Sequence, residues 1–178
     1  AGAQIKSRDE VLSAANVILT IHPPGTSDIV HLASHILIGV YQPLFNTDTM
    51  KQWATAGITT FSLDMLPRTT RAQAMDVLSS QANIAGYKAV LTAANSYGRY
   101  FPMFMTAAGS IVPAKVLILG AGVAGLQAIA TAKRLGAVIE VFDTRPAVKE
   151  EVQSLGAKFI EVEGAADASK AGGYAVEQ

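Results

Sequence analysis

The sequence of 178 residues contains no cysteine and no excess of charge of either sign. The lack of cysteine excludes disulfide bonds, thiolate metal sites and cysteine nucleophiles, and it suits a reducing compartment such as the cytoplasm. Because 14 basic side chains balance 14 acidic ones, no long-range field favours nucleic acid or an acidic membrane surface. Nucleic acid is therefore not an expected partner.

The sequence also shows no export signal and no long hydrophobic run. The segment that most resembles a membrane span, residues 116–132, is uncharged and apolar but shorter than the ~20 residues that a membrane-spanning helix needs. Three closely spaced glycines lie inside it. A strand, a turn and a helix explain these glycines better than one lipid-facing helix, so we expect no transmembrane segment.

Apolar β-branched runs alternate with helical segments along the chain, which predicts an α/β fold with parallel sheets covered on both faces. The predicted strands are 17–21, 36–41, 58–63, 116–119, 138–142 and 158–162. Helices are predicted from a capping box at Ser7 and Glu10 to about Ala15, then over 47–56, 74–97, 123–135 and 146–155.

Proline and glycine between Pro102 and Pro113 indicate a domain boundary. We expect a Rossmann-like domain with a long linking helix over residues 1–112, and a second Rossmann-like domain over 113–178. Only three strands fit into the second domain, whereas a complete dinucleotide-binding domain has about six. Both units are therefore expected to be incomplete, and the chain to be a fragment.

The sequence Gly-Ala-Gly-Val-Ala-Gly at 120–125 follows an apolar strand and opens a helix, which is the context of a dinucleotide-binding turn. In such a turn the first glycine permits the bend, the second lets backbone approach a diphosphate, and the third lets helix and strand pack closely. The residues expected to bind the diphosphate of NAD(H) are Gly120, Gly122, Val123, Ala124 and Gly125.

Asp143 ends the next predicted strand, where a carboxylate can accept hydrogen bonds from both hydroxyls of the adenosine ribose. Its charge repels a 2′-phosphate and favours NAD(H) over NADP(H), although the guanidinium of Arg145 could neutralise such a phosphate. Thr144 and Arg145 complete this set of cofactor contacts. The alternative is a glycine-rich packing turn beside a solvated acid.

A loop and helix start around residue 70 contain polar side chains that could hold a carboxamide and a ribose: Arg68, Gln73, Asp76 and Ser79. By residue type alone a solvated loop is the better interpretation, with Asp76 favouring the helix dipole. Ser79 also starts a small-residue stripe, which consists of Ser79, Ala82, Gly86, Ala89 and Ala93 at helical spacing and lets another backbone approach closely.

The three histidines, His22, His31 and His35, are interpreted as structural or surface residues. His31 and His35 are four residues apart, a spacing compatible with two metal ligands on one helix face, but no third ligand is apparent. We therefore expect no metal site.

Longer segments of the sequence resemble one known family. They are PRTTRAQAMD at 67–76, LSSQANIAGY at 78–87, TAAG at 106–109 and GAGVAGLQA at 120–128. They closely resemble the NAD(H)-binding domain in the alpha subunit of proton-translocating nicotinamide nucleotide transhydrogenases, over nearly the whole chain. The resemblance is more specific than the glycine turn alone. It favours a binding role for the loop around residue 70 over a solvated loop.

The resemblance implies that Arg68 and Asp76 position the nicotinamide by holding its carboxamide region, helped by Ser79. It implies that Gln73 faces the NADP(H) of a partner domain. It also implies that Gly173 and Tyr174 belong to a mobile loop whose tyrosine folds over bound nucleotide.

The implied activity is direct, Si-Re-specific hydride transfer from NADH to NADP⁺ on the partner domain, coupled to proton translocation. Such a transfer needs no acid or base, because the protein only positions two nicotinamide rings. The implied partners are a membrane proton-channel domain, the NADP(H)-binding domain and a second copy in a homodimer, at the cytoplasmic or matrix face of an energy-transducing membrane. The fragment alone is expected to bind nucleotide without transferring hydride.

Two other functions stay open. Alanine dehydrogenases look similar over both domains, but segments 20–24 and 40–43 lack the Lys and the His with which those enzymes handle pyruvate. The second alternative is a module that binds NAD without catalysis. An assay of hydride transfer with the partner domain separates such a module from a transhydrogenase component, because the module would show no transfer.

Overall fold

The structure, a computed structural model, describes residues 2–162 of a chain that divides into two compact units between Leu78 and Ser79. Each unit contains a three-stranded parallel sheet. The prediction of two Rossmann-like parallel-sheet units is thereby confirmed. The division places most of the long helix in the second unit, and the domain boundary at residue 112 stays a prediction.

The first unit begins with helix α1 (Arg8–Ala14), which the predicted capping box starts. The amide of Glu10 lies 3.4 Å from Ser7 Oγ, and the amide of Ser7 donates to Glu10 Oε2 at 2.9 Å. The sheet contains β1 (Val17–Leu19), β2 (Ile36–Gly39) and β3 (Thr59–Ser62) in that order, with helix α2 (Thr47–Thr55) before β3. Its core consists of Leu12, Ile18, Leu32, Leu37, Tyr41, Trp53 and Ile58.

Helix α3 (Val77–Ser96) starts later than predicted, because Thr70–Met75 forms a 3-10 helix instead. After it, β4 (Phe104–Thr106) and β5 (Gly109–Ile111) pair as an antiparallel hairpin, where the sequence predicts only a break. Within residues 2–162, no helix is long and apolar enough to cross a membrane.

The second unit has its sheet in the order β6 (Lys115–Leu119), β7 (Val138–Phe142) and β8 (Lys158–Phe159). Helix α4 (Val123–Arg134) connects β6 to β7, and a 3-10 turn followed by helix α5 (Lys149–Ser154) connects β7 to β8. Leu119 is in register with Phe142, so both strands end at the same edge of the sheet. Apolar residues from the sheet and from α3 to α5 form the core, among them Val90, Ala128, Ile129, Ile139, Val141 and Val152.

The prediction that both faces of each sheet are covered is wrong for these strands. On β6, Ile118 is buried, whereas Leu117 and Leu119 on the opposite face are 59% and 74% exposed. On β1, Ile18 is buried while Leu19 is exposed. The reason lies in the strand order, because right-handed crossovers that add strands in one direction put all their helices on one face.

Candidate nucleotide-binding site

The glycine turn links the carboxyl end of β6 to the start of α4. Gly120 has φ +94°, a conformation that disfavours any residue with a side chain, and its amide donates to the carbonyl of Phe142 at 2.8 Å. Gly122 is the N-cap of α4, and no side chain caps the helix there. The first amides of a helix have no acceptor within it, so this turn presents hydrogen-bond donors to an anion.

Gly125 is required by close packing between the helix and the end of the strand. A Cβ atom on Gly125 would lie 1.9 Å from the carbonyl oxygen of Gly120. By contrast, a Cβ atom on Gly122 would meet no protein atom within 4 Å. The two glycines therefore have different roles: Gly125 holds the turn against the strand, and Gly122 leaves the space in front of the turn empty.

Gly86 supports the same turn from helix α3. A Cβ atom on Gly86 would lie 2.0 Å from the carbonyl oxygen of Ala124, so the backbone of α3 packs directly on the first turn of α4. The small-residue stripe indicates such an approach, but it does not reveal which backbone it meets. The sequence alone therefore does not assign Gly86 to the site.

Asp143 holds the other side of the turn through a dense set of hydrogen bonds. Its Oδ2 accepts the amide of Ala121 at 2.7 Å and Nη2 of Arg145 at 2.9 Å. Its Oδ1 accepts the amide of Arg145 at 2.8 Å and Nε of Arg145 at 3.0 Å. The guanidinium of Arg145, more than any other group, lowers the pKa of Asp143 to about 2, and the carboxylate is therefore ionised at neutral pH.

These residues line one cleft of about 490 Å³ at the carboxyl end of the second sheet. Its walls are Leu119, Gly120, Gly122, Phe142, Asp143, Thr144 and Arg145. A smaller cavity of about 150 Å³ adjoins it, shares Phe142, Asp143 and Thr144, and extends to Lys149 and Phe159. The structure thus brings Gly120, Gly122, Asp143, Thr144 and Arg145 of the predicted nucleotide site together in one cleft, while Val123, Ala124 and Gly125 belong to the first turn of α4 behind it.

The remaining predicted site residues lie elsewhere in the chain. Arg68, Gln73 and Asp76 belong to the first unit, where Arg68 and Gln73 are exposed and Asp76 follows the 3-10 helix Thr70–Met75. Ser79 lies at the start of α3 and is partly buried. The approach of these side chains to a nicotinamide stays a prediction, while Gly173 and Tyr174 lie outside the described residues.

The histidines show no arrangement suited to a metal. His35 Nδ1 lies 3.0 Å from the carbonyl of Ala33, while His22 and His31 are exposed. In the part of the chain that the structure describes, no three histidine, aspartate or glutamate side chains lie close enough to hold a metal ion.

Two family models match consecutive parts of the chain. The N-terminal domain of alanine dehydrogenase/PNT matches residues 1–85, and its C-terminal domain matches residues 89–175. The chain belongs to the alanine dehydrogenase/PNT family.

Within the alanine dehydrogenase/PNT family, the chain is similar to alpha subunits of transhydrogenases. It is 46% identical to an NAD(P) transhydrogenase alpha subunit of Rickettsia prowazekii, with 94% of this chain and 45% of that protein covered. It is 47% identical to the corresponding subunit of Rhodospirillum rubrum, with 99% and 48% covered. The chain thus spans about half the length of these relatives, and the resemblance inferred from the motifs is confirmed.

Two solved structures have a similar fold. The transhydrogenase of Sinorhizobium meliloti is 51% identical and superposes with a TM-score of 0.80, covering 87% of this chain and 47% of that one. An L-alanine dehydrogenase is 21% identical with a TM-score of 0.69, covering 89% and 45% of the two chains. At that identity the second likeness shows the fold alone.

Proposed function

We propose that the chain is the NAD(H)-binding component of a proton-translocating transhydrogenase. The observation that carries the proposal is the uncapped glycine turn facing a cleft beside an ionised Asp143. Backbone amides at a helix start bind a diphosphate, and a carboxylate at the end of the next strand binds ribose hydroxyls. The similarity to transhydrogenase alpha subunits selects this function among the many that use the fold.

The charge of Asp143 supports NAD(H) as the bound nucleotide. Its side chain is only 6% exposed, and its lowered pKa keeps it negative across the physiological range. A 2′-phosphate on the ribose would bring a second negative group to this carboxylate. NADP(H) is therefore proposed to bind on a partner domain and not in this cleft.

The chemistry proposed for the complete assembly is direct hydride transfer between the two nicotinamides, coupled to proton translocation by a membrane domain. Arg68 and Asp76 are proposed to hold the carboxamide of NAD(H), with Ser79 beside them. Gln73 is proposed to contact NADP(H), and its exposure supports that role because a residue between two components has to be accessible. Positioning supplies the rate enhancement, since hydride passes between two carbon atoms.

The proposed partners follow from this chemistry. They are the NADP(H)-binding domain, the membrane proton-channel domain and a second copy of the chain, assembled at the cytoplasmic or matrix face of the membrane. Without the domain that carries NADP(H) there is no hydride acceptor, so the chain alone is proposed to bind NADH without turning it over.

Nucleotide binding is tested by titrating the chain with NADH in a calorimeter and comparing Gly122→Ala with Gly98→Ala. A methyl group at either position meets no protein atom within 4 Å, so neither change disturbs the protein. Gly122→Ala places its methyl group where the diphosphate is proposed to lie, and we expect NADH affinity to fall by at least about tenfold, equivalent to ~1.4 kcal/mol. Gly98→Ala should bind as the unsubstituted chain does, and equal affinities in all three proteins would refute the turn assignment.

Hydride transfer is tested by mixing the chain with the NADP(H)-binding domain and following NADH-dependent reduction of an NADP⁺ analogue. Gln73→Ala should slow the transfer while leaving NADH affinity unchanged. A large loss of NADH affinity would overturn the role given to Gln73. No transfer by the unsubstituted pair would favour the non-catalytic module, and oxidation of alanine by the chain would favour the alanine dehydrogenase alternative.

A further inference from the structure

The carboxylate of Asp143 already has its full number of hydrogen-bond donors. Each of its two oxygens accepts two bonds, one from a backbone amide and one from the guanidinium of Arg145. A carboxylate offers about four lone-pair positions in all. A ribose cannot add two further hydroxyl donors unless two of the present donors leave.

The four donors are not equally free to leave. The amides of Ala121 and Arg145 are fixed by the turn and the backbone that follows β7. The guanidinium stands on a flexible side chain that is 24% exposed, and it contacts Asp143 through two parallel bonds, from Nε and Nη2. Two adjacent ribose hydroxyls present the same pattern of two neighbouring donors, so they compete with the guanidinium for the same two acceptor positions.

We infer that Arg145 occupies the position of the ribose hydroxyls on Asp143 and has to be displaced by them, which makes Arg145 a specificity-determining residue of the cleft. The inference rests on the proposed function. A ligand with two free ribose hydroxyls replaces both bonds of the guanidinium. A ligand with a 2′-phosphate offers Asp143 only one free hydroxyl, so it replaces at most one of the two guanidinium bonds and competes less well.

A second acidic residue is available to the displaced guanidinium. The ion pair with Asp143 and, more weakly, the charge of Glu151 on α5 raise the pKa of the Arg145 guanidinium and favour its charged form. A guanidinium displaced from Asp143 therefore keeps the electrostatic attraction of Glu151.

The inference is tested with Arg145→Gln, which cannot form the bidentate ion pair. Removing the competitor should tighten NADH binding by roughly threefold to tenfold, the value of about one hydrogen bond. The same change should lower the thermal unfolding temperature, because the ion pair stabilises the free protein. If Arg145 had only a structural role, Arg145→Gln would lower both NADH affinity and stability. A gain in affinity together with a loss of stability therefore identifies the competition.

Two comparisons make the test specific to the ribose. Arg145→Gln should improve the binding of ADP more than that of 2′-deoxy-ADP, since only ADP carries both hydroxyls. In an Asp143→Asn background, Arg145→Gln should no longer improve NADH affinity, because the ionic partner is gone. An equal gain for both nucleotides, or the same gain with Asn at position 143, would overturn the inference.

The failure of the inference is distinguishable from that of the proposed function. If both the unsubstituted chain and Arg145→Gln bind NADH with the same affinity, or if the variant binds it more weakly, the competition is refuted and nucleotide binding stands. If neither protein binds NADH, the proposed function is refuted and the inference with it.

Discussion

The carboxyl ends of the two parallel sheets differ in chemistry although their topology is the same. In the first unit the ring of Tyr41 follows β2, is fully buried and packs edge-on against Trp53, while its hydroxyl lies 2.9 Å from Thr20 Oγ1. The amide of Tyr41 donates to Ser62 Oγ at 2.9 Å. Side chains of the first unit thus fill the space at this end of the sheet and provide its hydrogen-bond partners.

In the second unit a glycine turn leaves the corresponding end open. Gly120 and Gly122 contribute no side chain, and the cleft in front of them is open. The comparison shows that three parallel strands in sequential order do not by themselves leave an open cleft at their carboxyl ends. The residues that follow each strand decide whether the end is filled by a ring or left open to a ligand.

The largest effect is expected from Tyr41→Ala, which empties the filled end of the first sheet. Loss of a fully buried aromatic ring should lower the free energy of unfolding by about 3–5 kcal/mol. Urea denaturation measures this change. NADH affinity of the folded variant should stay the same, because none of the residues that line the cleft is altered, and a parallel loss of affinity would break the contrast between the two ends.

Gly86→Ala tests the packing of α3 against the glycine turn. We expect this change to destabilise the protein, whereas helix propensity alone predicts that it stabilises it. In a helix, replacing glycine with alanine ordinarily stabilises by roughly 0.5–1 kcal/mol. Here the new Cβ atom would lie 2.0 Å from the carbonyl oxygen of Ala124, and we expect destabilisation of about 1–3 kcal/mol with weaker NADH binding. Thermal unfolding and calorimetry measure the two effects, and a more stable variant would contradict the contact.

The pH dependence of stability tests the ion pair between Asp143 and Arg145. The pKa of Asp143 is lowered from 3.8 to about 2, so the stabilisation is complete above the higher value and is lost as the pH falls towards the lower one. The difference in unfolding free energy between the unsubstituted chain and Asp143→Asn should accordingly be constant at neutral pH and shrink across this acidic window. A difference that does not change with pH would show that Asp143 carries no such shift.

The smallest effect is expected from Tyr41→Phe, the matched control for the first variant. It keeps the buried ring and removes only the hydroxyl contact with Thr20, so stability should fall by about 1 kcal/mol. If this variant were as unstable as Tyr41→Ala in urea, the hydroxyl and not the ring would hold the filled end together.

The sequence predicts the elements of the fold well where apolar periodicity is strong. Strand β7 has the predicted bounds, 138–142, and the three glycines of the turn lie where the motif places them. The sequence does not predict the β4–β5 hairpin, because its strands are three residues long and mostly exposed and so have little apolar periodicity.

One feature of the site depends on a tertiary contact that the sequence pattern does not reveal. Gly86 belongs to a recognisable stripe, but its contact with Ala124 requires the packing of α3 on α4. The sequence analysis also does not predict that Asp143 accepts four hydrogen bonds, although three of the four come from Arg145, only two residues away. Aspartate side chains often accept the amide two residues later, which brings Arg145 beside the carboxylate.

The most direct test of the central claim is a crystal structure of the chain with bound NADH. We predict the diphosphate within hydrogen-bond distance of the amides at the start of α4, the adenosine ribose on Asp143, and the guanidinium of Arg145 released from that carboxylate. A diphosphate bound away from the glycine turn would contradict the proposed site. A ribose seated elsewhere, with the Asp143–Arg145 pair intact, would contradict the role inferred for Arg145.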